Sequence, residues 1–184
     1  LLEVNNNKLT VVSLDCHRIS IRNVLLEGEN DPVKVVVPGK TLSDISKILS
    51  GEVNDMVNIY FTDKHILFEM EKTKVVSRLL EGEYYRINRM LSPDYETKIV
   101  LNKKEFFSCI DRATLLIKES DKRPIILSIG ENQMELQVST SIGSMKEEME
   151  INLTGKELMI GFNPKFLMDA LRVIDDEEIT IYMV

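Results

Sequence analysis

One pattern, a strand that runs directly into a helix, occurs three times in this chain and restricts the fold more than any other feature. It spans residues 33–49, 97–117 and 160–174, where a strand-like run passes through a short turn with Pro, Gly or Asn into a segment of 3.6-residue period. Three strand-like runs separated by polar turns follow each of the first two helices. The sequence therefore predicts a repeated β-α-β-β-β unit.

The strand-like runs indicate how such units pack. Met134, Leu136 and Val138 alternate with Glu135 and Gln137, as in a sheet with one face in water. The loops between runs are short, which favours antiparallel neighbours. Helices would then cover one face of antiparallel sheets, and the predicted fold class is α+β.

Two of the predicted helices begin with recognisable capping residues. Asn163 is placed to cap the third helix, with Pro164 at its first position. Asn102, followed three residues later by Glu105, gives the second helix a capping-box pattern.

Composition excludes several classes of protein. The 184 residues are 43% hydrophobic, enough for one large or two small domains with a core. No apolar run of about 18 residues is present, so we expect no membrane span, and the start of the chain does not resemble a signal peptide. Cys16 and Cys109 are too few for a disulfide framework or a Cys-based zinc site, which predicts reduced thiols in a cytoplasmic protein.

Each predicted helix carries a lysine in its first turn and a second cation about two turns later on the same face. The pairs are Lys40 and Lys47, Lys104 and Arg112, and Lys165 and Arg172. A first-turn cation opposes the helix dipole, so its recurrence indicates a function for the surface rather than for helix stability. The chain as a whole has a net charge of −7, yet each helix holds more cations than anions. We interpret these faces as a sparse basic surface for a phosphate backbone, with ordinary solvated helix faces as the alternative.

Patterns that would indicate catalysis have little support. The "PGKT" at 38–41 lacks the upstream glycine of a P-loop, and Asp15 with His17 has no nucleophile at a suitable distance. Acidic runs at 147–150 and 175–178 could hold a divalent metal, but a charged edge strand and a solvated loop are the expected readings. We therefore expect no cofactor, no metal and no enzymatic activity.

Five motifs carry a family resemblance. They are "LDCHRIS" (14–20), "LLEGEYYRINRMLS" (79–92), "RATLL" (112–116), "ENQMEL" (131–136) and "IGFNPKFLMDAL" (160–171). In this order and spacing the chain resembles the bacterial sliding clamp, the β subunit of DNA polymerase III. The resemblance implies a DNA-clamp fold in which helices line a hole around duplex DNA and two protomers close head to tail into a ring.

The same resemblance implies a domain division. Residues 1–92 would be most of the central clamp domain without its first strand and helix. Residues 93–184 would be most of the C-terminal domain without its last strands, and the family's first domain would be absent from this chain.

Three sites follow from the resemblance. The six helix cations would face DNA. A pocket for linear peptides would be lined by Leu14, His17, Arg18, Ile19, Arg89 and Met90. The ring interface would include Leu115, Leu116, Glu147, Glu148 and Glu150. Two pocket positions depart from the family, because Cys16 stands where glycine is usual and Tyr85 where proline is usual.

The implied function is a non-catalytic sliding clamp that tethers the replicative polymerase for processive synthesis. Its expected partners are double-stranded DNA, the DNA polymerase III α subunit, the clamp loader, other proteins with a clamp-binding motif, and a second protomer in a homodimeric ring. Two other readings remain open on the residues alone. One is a scaffold of β-α-β repeats that binds proteins without DNA, and the other is an α+β hydrolase with carboxylate chemistry.

Overall fold

The computed structural model describes residues 1–49, 51, 56–87, 90–91, 94–118 and 123–184. The chain divides into two compact units, Leu1–Ile87 and Asn88–Val184. The boundary predicted between residues 92 and 93 lies outside the described residues.

The first unit contains two antiparallel sheets and one helix in its described part. Its elements are β1 (Leu2–Asn5), β2 (Lys8–Leu14), β3 (Ile19–Leu25), β4 (Val33–Val35), α1 (Gly39–Ile48), β5 (Asn58–Phe61), β6 (His65–Met70) and β7 (Thr73–Arg78). One sheet has the strand order β3-β2-β1-β4 and the other has the order β5-β6-β7. An isolated antiparallel bridge joins Val36 to Leu80, just beyond β4 and β7.

Apolar residues from both sheets and from α1 form the core of the first unit. Ile66, Phe68 and Met70 alternate with more exposed residues along β6, which matches the pleat of a strand. Ile45 is the buried residue of α1. The helix thus packs through one stripe and leaves its charged face outward.

The second unit repeats this plan with two helices. Its elements are β8 (Thr97–Asn102), α2 (Lys103–Thr114), β9 (Ile125–Ile129), β10 (Gln133–Thr140), β11 (Gly143–Glu150), β12 (Asn152–Gly155), β13 (Leu158–Phe162), α3 (Pro164–Arg172) and β14 (Glu178–Met183). The sheets have the orders β11-β10-β9-β13 and β12-β8-β14, and all their strand pairs are antiparallel.

The core of the second unit lies where α2 and α3 meet the inner faces of these sheets. The largest fully buried side chain is Phe106 of α2, and Met168 and Leu171 are the corresponding buried residues of α3. Met134 and Leu136 of β10 are fully buried beneath the helices, as the predicted alternation requires. The α+β class predicted from the sequence is confirmed.

The predicted capping residues of both helices in this unit are also confirmed. The Asn102 side chain accepts a hydrogen bond from the Glu105 backbone N–H at 2.9 Å. The Asn163 side chain accepts one from the Lys165 backbone N–H at 3.0 Å, with Pro164 at the first helical position. Each cap satisfies a backbone donor that the helix itself cannot satisfy.

One strand predicted from the sequence is two strands in the structure. The run "EEMEINL" is predicted as a single strand, but β11 ends at Glu150 and β12 begins at Asn152. β11 pairs with β10 in one sheet, while β12 pairs with β8 in the other. The buried Ile151 stands between them and donates its N–H to the Asn132 carbonyl at 3.1 Å. The chain therefore changes sheets at an apolar residue, which periodicity within the run cannot reveal.

Gly155, at the end of β12, is predicted to resist substitution. Its φ of +102° is a conformation that L side chains rarely adopt, and a Cβ there would lie 2.1 Å from the Glu96 carbonyl oxygen. We expect Gly155→Ala to lower the free energy of unfolding by at least about 2 kcal/mol in urea denaturation. Gly130→Ala is the matched control, because its Cβ would meet the nearest atom at an ordinary 3.5 Å. Equal free energies of unfolding for the two variants would contradict the view that Gly155 is required by its backbone conformation and by the nearby Glu96 carbonyl.

Candidate functional site: helix faces, a hairpin turn and an edge strand

The three first-turn lysines lie where the sequence predicts them. Lys40, Lys104 and Lys165 are exposed near the starts of α1, α2 and α3. In the described part of the chain, none of the three has an ion-pair partner. Their charges therefore remain available to an external anion.

The second cation of each helix is in a different state, because each has a carboxylate partner. The Lys47 ammonium lies 3.6 Å from the Asp44 carboxylate, and the Arg172 guanidinium lies 3.5 Å from the Asp169 carboxylate. Exposed pairs of this kind are weak, at about 0–1 kcal/mol, so an incoming phosphate can still attract either cation.

Arg112, the second cation of α2, is held more firmly. Its Nε donates to Glu147 Oε1 at 2.7 Å and its Nη2 donates to Glu147 Oε2, which gives a bidentate pair. The six predicted DNA-facing cations thus differ in how much charge they leave unneutralised, and their contact with DNA stays a prediction.

Lys103 is not among the predicted site cations, and the structure gives it an internal role. Its Nζ donates to the Ile174 carbonyl at 2.6 Å, just beyond the end of α3. The ammonium thereby satisfies a carbonyl that the helix end leaves without a partner and offsets the negative end of the α3 dipole. This contact joins the start of α2 to the end of α3.

The turn between β2 and β3 is built around Asp15. Its Oδ1 accepts the backbone N–H groups of His17 and Arg18, each at 2.8 Å. Its Oδ2 accepts the Arg18 Nε–H at 3.0 Å, and the Asp15 N–H donates to the Arg18 carbonyl at 3.0 Å. These contacts fix the turn from within, so Asp15 acts as the organiser of the turn rather than as an acid–base partner of His17.

The electrostatics of the turn agree with this geometry. The backbone N–H of His17 and the Arg18 guanidinium hold the pKa of Asp15 below its usual range. Leu14 and Ile19 face each other across the base of the turn and are half-buried, while Cys16 and His17 at its tip are exposed. Sequence reasoning considered Asp15 only as a possible acid–base partner of His17 and missed its role in the turn, although an Asp at the first position of a tight turn is a signal for this contact.

The remaining predicted pocket positions lie farther along the chain. Tyr85 is 69% exposed and meets the neighbouring Tyr84 ring edge to face. The Tyr84 hydroxyl donates to the Val12 carbonyl of β2 at 3.4 Å, a contact within the first unit. Met90 is exposed, and Arg89 lies outside the described residues.

Beside this segment the first unit has a cavity that the sequence did not predict. Its volume is about 700 Å³, and its lining includes Val36, Leu80, Tyr84 and Arg86.

The predicted interface residues surround one edge of a sheet. β11 is an edge strand, and the exposed Glu148 and Glu150 alternate along it with Glu147 and the buried Met149. Leu115, directly after α2, is 79% exposed, whereas Leu116 packs against the core. Single exposed apolar residues and charged edge strands are both common on protein surfaces, so the assignment of these residues to a ring interface stays a prediction.

Metal sites and membrane spans have no support in the described ranges. Among these residues, His, Cys, Asp and Glu side chains do not assemble in groups of three or more that could hold a metal ion. Nor is any described helix long and apolar enough to cross a membrane.

Asp15 gives the first site a test. We expect Asp15→Ala to release the His17 and Arg18 amides, whereas Asp15→Asn keeps an oxygen acceptor for them. Because the pKa of Asp15 is lowered in the folded chain, its stabilisation of the turn is present above the ordinary pKa of aspartate. It is lost as the pH falls through the lower, folded value.

The measurement is an NMR pH titration of these two amide protons. In the wild type both should shift together at a pH below that of an unperturbed aspartate, and in Asp15→Asn neither should titrate there. Amide shifts that stay constant in the wild type across the acid range would contradict the carboxylate contact.

The chain matches known families along both units. The model of the DNA polymerase III beta subunit central domain matches residues 1–85, and the model of its C-terminal domain matches residues 88–184. The beta sliding clamp of Staphylococcus epidermidis is 38% identical over 180 residues, which is 97% of this chain and 48% of that protein. The beta sliding clamp of Staphylococcus aureus is 37% identical over 180 residues, again 97% of this chain and 48% of that protein.

Solved structures agree with the sequence relatives. A putative DNA polymerase III beta subunit from Eubacterium rectale superimposes with a TM-score of 0.96 at 58% identity, covering 100% of this chain and 50% of that one. The Bacillus subtilis DNA polymerase sliding clamp gives a TM-score of 0.94 at 34% identity, covering 100% and 49%. The chain thus spans about half the length of the relatives that it matches.

Proposed function

This chain belongs to the family of DNA polymerase III beta subunits, the beta sliding clamps, and we propose that the protein carrying it encircles duplex DNA. In this proposal it is a non-catalytic processivity factor in the cytoplasm that tethers the replicative polymerase to its template. The two units would be most of the central and C-terminal clamp domains, divided near residue 92, and a second protomer would complete the ring.

The recurrence of an exposed lysine at the start of α1, α2 and α3, without an ion-pair partner among the described residues, carries the proposal. A helix N-terminus disfavours a cation by about 0.3–1 kcal/mol, so folding alone does not account for three of them. Single ammonium groups on flexible stems attract phosphates without bidentate geometry. Such contacts are weak, sequence-independent and screened by salt, which suits a ring that must slide.

The β2–β3 turn supports a docking role. We propose that Leu14, His17, Arg18, Ile19, Arg89 and Met90 form part of a pocket for linear peptides of the polymerase α subunit, the clamp loader and other clamp-binding proteins. The Asp15 contacts hold Arg18 in one orientation before a peptide arrives. A preorganised turn reduces the entropy that binding must overcome.

Ring closure would use the surface around the end of α2. The exposed Leu115 offers an apolar contact, and Glu148 and Glu150 give the β11 edge a negative charge. An apolar anchor beside a charged strand edge fits a specific protein partner better than solvent. We propose that the other protomer covers it.

The test of the helix lysines as the DNA-facing surface is a triple variant, Lys40→Glu, Lys104→Glu and Lys165→Glu, in the full-length clamp. We expect processivity on primed DNA to fall, most strongly at low salt, and its dependence on salt to become shallower, because fewer cations remain to neutralise phosphates and release counterions. The melting temperature should change little, since exposed substitutions shift stability by only about 0.5 kcal/mol.

A matched control changes three exposed lysines outside the helices, Lys8, Lys64 and Lys72, to glutamate. This variant has the same net charge as the helix variant but keeps the three helix lysines. Its processivity should therefore stay near that of the wild type at each salt concentration. If both triple variants lose processivity equally, net charge alone is responsible. If neither does, the helix lysines are ordinary solvated residues and the protein-binding scaffold becomes the better reading.

A further inference from the structure

Glu147 differs from the other acidic residues of β11 in the direction of its side chain. It alternates with Glu148 and Glu150 and shares the inner face of the strand with Met145 and the buried Met149. Its cross-strand neighbour is the fully buried Leu136. The Glu147 side chain is 30% exposed, so this carboxylate lies at the margin of an apolar core and requires partners.

Its cationic partner comes from α2. Arg112 forms the bidentate pair with Glu147, and the buried Cys109 lies one turn earlier on the same helix. The Arg112 contact lowers the pKa of Glu147, against the effect of its partial burial. Burial raises the pKa of the Cys109 thiol to about 12, and the nearby Glu147 carboxylate acts in the same direction. The thiol therefore stays protonated.

The end of α2 is connected to this cluster through the backbone. The Leu115 N–H donates to the Arg112 carbonyl at 3.2 Å, and the Leu116 N–H donates to the Ala113 carbonyl at 3.2 Å. Arg112 therefore lies in the same last turn of the helix as the exposed Leu115. Arg112 and Glu147 are 35 residues apart in the chain, so the pair joins the helix end to the strand edge across the fold.

We propose that Arg112 and Glu147 form an internal clasp that positions Leu115 and the β11 edge for contact with a second protomer. This inference rests on the proposed ring function. It gives Arg112 a positioning role in assembly instead of a direct contact with DNA, and it separates Glu147 from the outward-facing Glu148 and Glu150. The partner surface that fits is apolar opposite Leu115 and cationic opposite the two outer glutamates.

Loss of Arg112 should have a different effect from loss of an ordinary exposed cation, because Arg112 is the partner of a partly buried carboxylate. Removal of Arg112 leaves a partly desolvated carboxylate without its cationic partner, and such a group turns toward water or takes up a proton. Either change loosens the end of α2 from β11. An exposed cation that faced only solvent and DNA would have no such effect.

A charge-reversal cycle in the full-length clamp tests the proposal. The variants are Arg112→Glu, Glu147→Arg and the two together, with Lys104→Glu on the same helix as the matched control for a DNA-facing cation. Arg112→Gln is the milder substitution for use if the reversal unfolds the protein. The measurements are the dimer Kd by sedimentation, the melting temperature, and hydrogen exchange at the Leu115 and Leu116 amides of this chain.

We expect each single reversal to raise the dimer Kd at least tenfold, and the double reversal to return it to within about threefold of the wild type. Exchange at Leu115 should accelerate in the single variants and slow again in the double variant. Lys104→Glu should leave the dimer Kd unchanged while it weakens loading on DNA and makes that loading less dependent on salt.

Other outcomes separate the alternatives. If Arg112→Glu kept the dimer Kd and exchange unchanged but weakened DNA loading as Lys104→Glu does, Arg112 would be a DNA contact and the clasp would be overturned. If both single reversals weakened the dimer and the double did not recover, Glu147 would contact the partner itself and the clasp would again be overturned. A wild type that stayed monomeric would contradict the ring, and unchanged exchange in Arg112→Glu would still overturn the clasp independently.

Discussion

The structure depends on the burial of one apolar stripe per helix against antiparallel sheets. Phe106 of α2 and Leu171 of α3 lie in the core, and burying such side chains contributes about 1.5–3 kcal/mol each. That burial fixes the rotation of each helix about its own axis. The opposite face, including Lys104 and Lys165, is then presented outward whatever its charge. The exposure of these lysines is thus a consequence of core packing, and their positions are set by the helices that carry them.

The same burial divides the charged residues into two groups. Charges on the outer helix faces have weak partners or none in the described part of the chain, as Lys40 and Lys47 show. Charges between two elements have close partners. Lys103, at the start of α2, donates to the Ile174 carbonyl beyond α3, and Arg112 of α2 pairs with Glu147 of β11. The first group suits transient attraction to a polyanion, and the second holds the elements together.

Local signals in the sequence predict the features that depend on neighbouring residues. Asn163 as a cap and the alternation along β10 follow from spacings of a few residues, and both are confirmed. The end of one strand and the start of the next around Ile151 cannot be predicted from local spacing. Which sheet a strand joins depends on partner strands far along the chain. The Arg112–Glu147 pair cannot be predicted from local spacing for the same reason, since a helix projection shows which face a side chain is on but not what lies opposite. The assignment of residues to DNA, peptide and ring contacts stays a prediction.

Retention on DNA of different topology tests the central claim most directly. The full-length protein would be incubated with a bacterial clamp loader and nicked circular DNA. Protein on DNA would then be separated from unbound protein by gel filtration, before and after linearisation at one restriction site. A ring that holds DNA by encirclement should stay on the circle and leave from the free ends after the cut. Equal retention on circular and linear DNA would mean that the protein binds by contact alone, and would contradict encirclement.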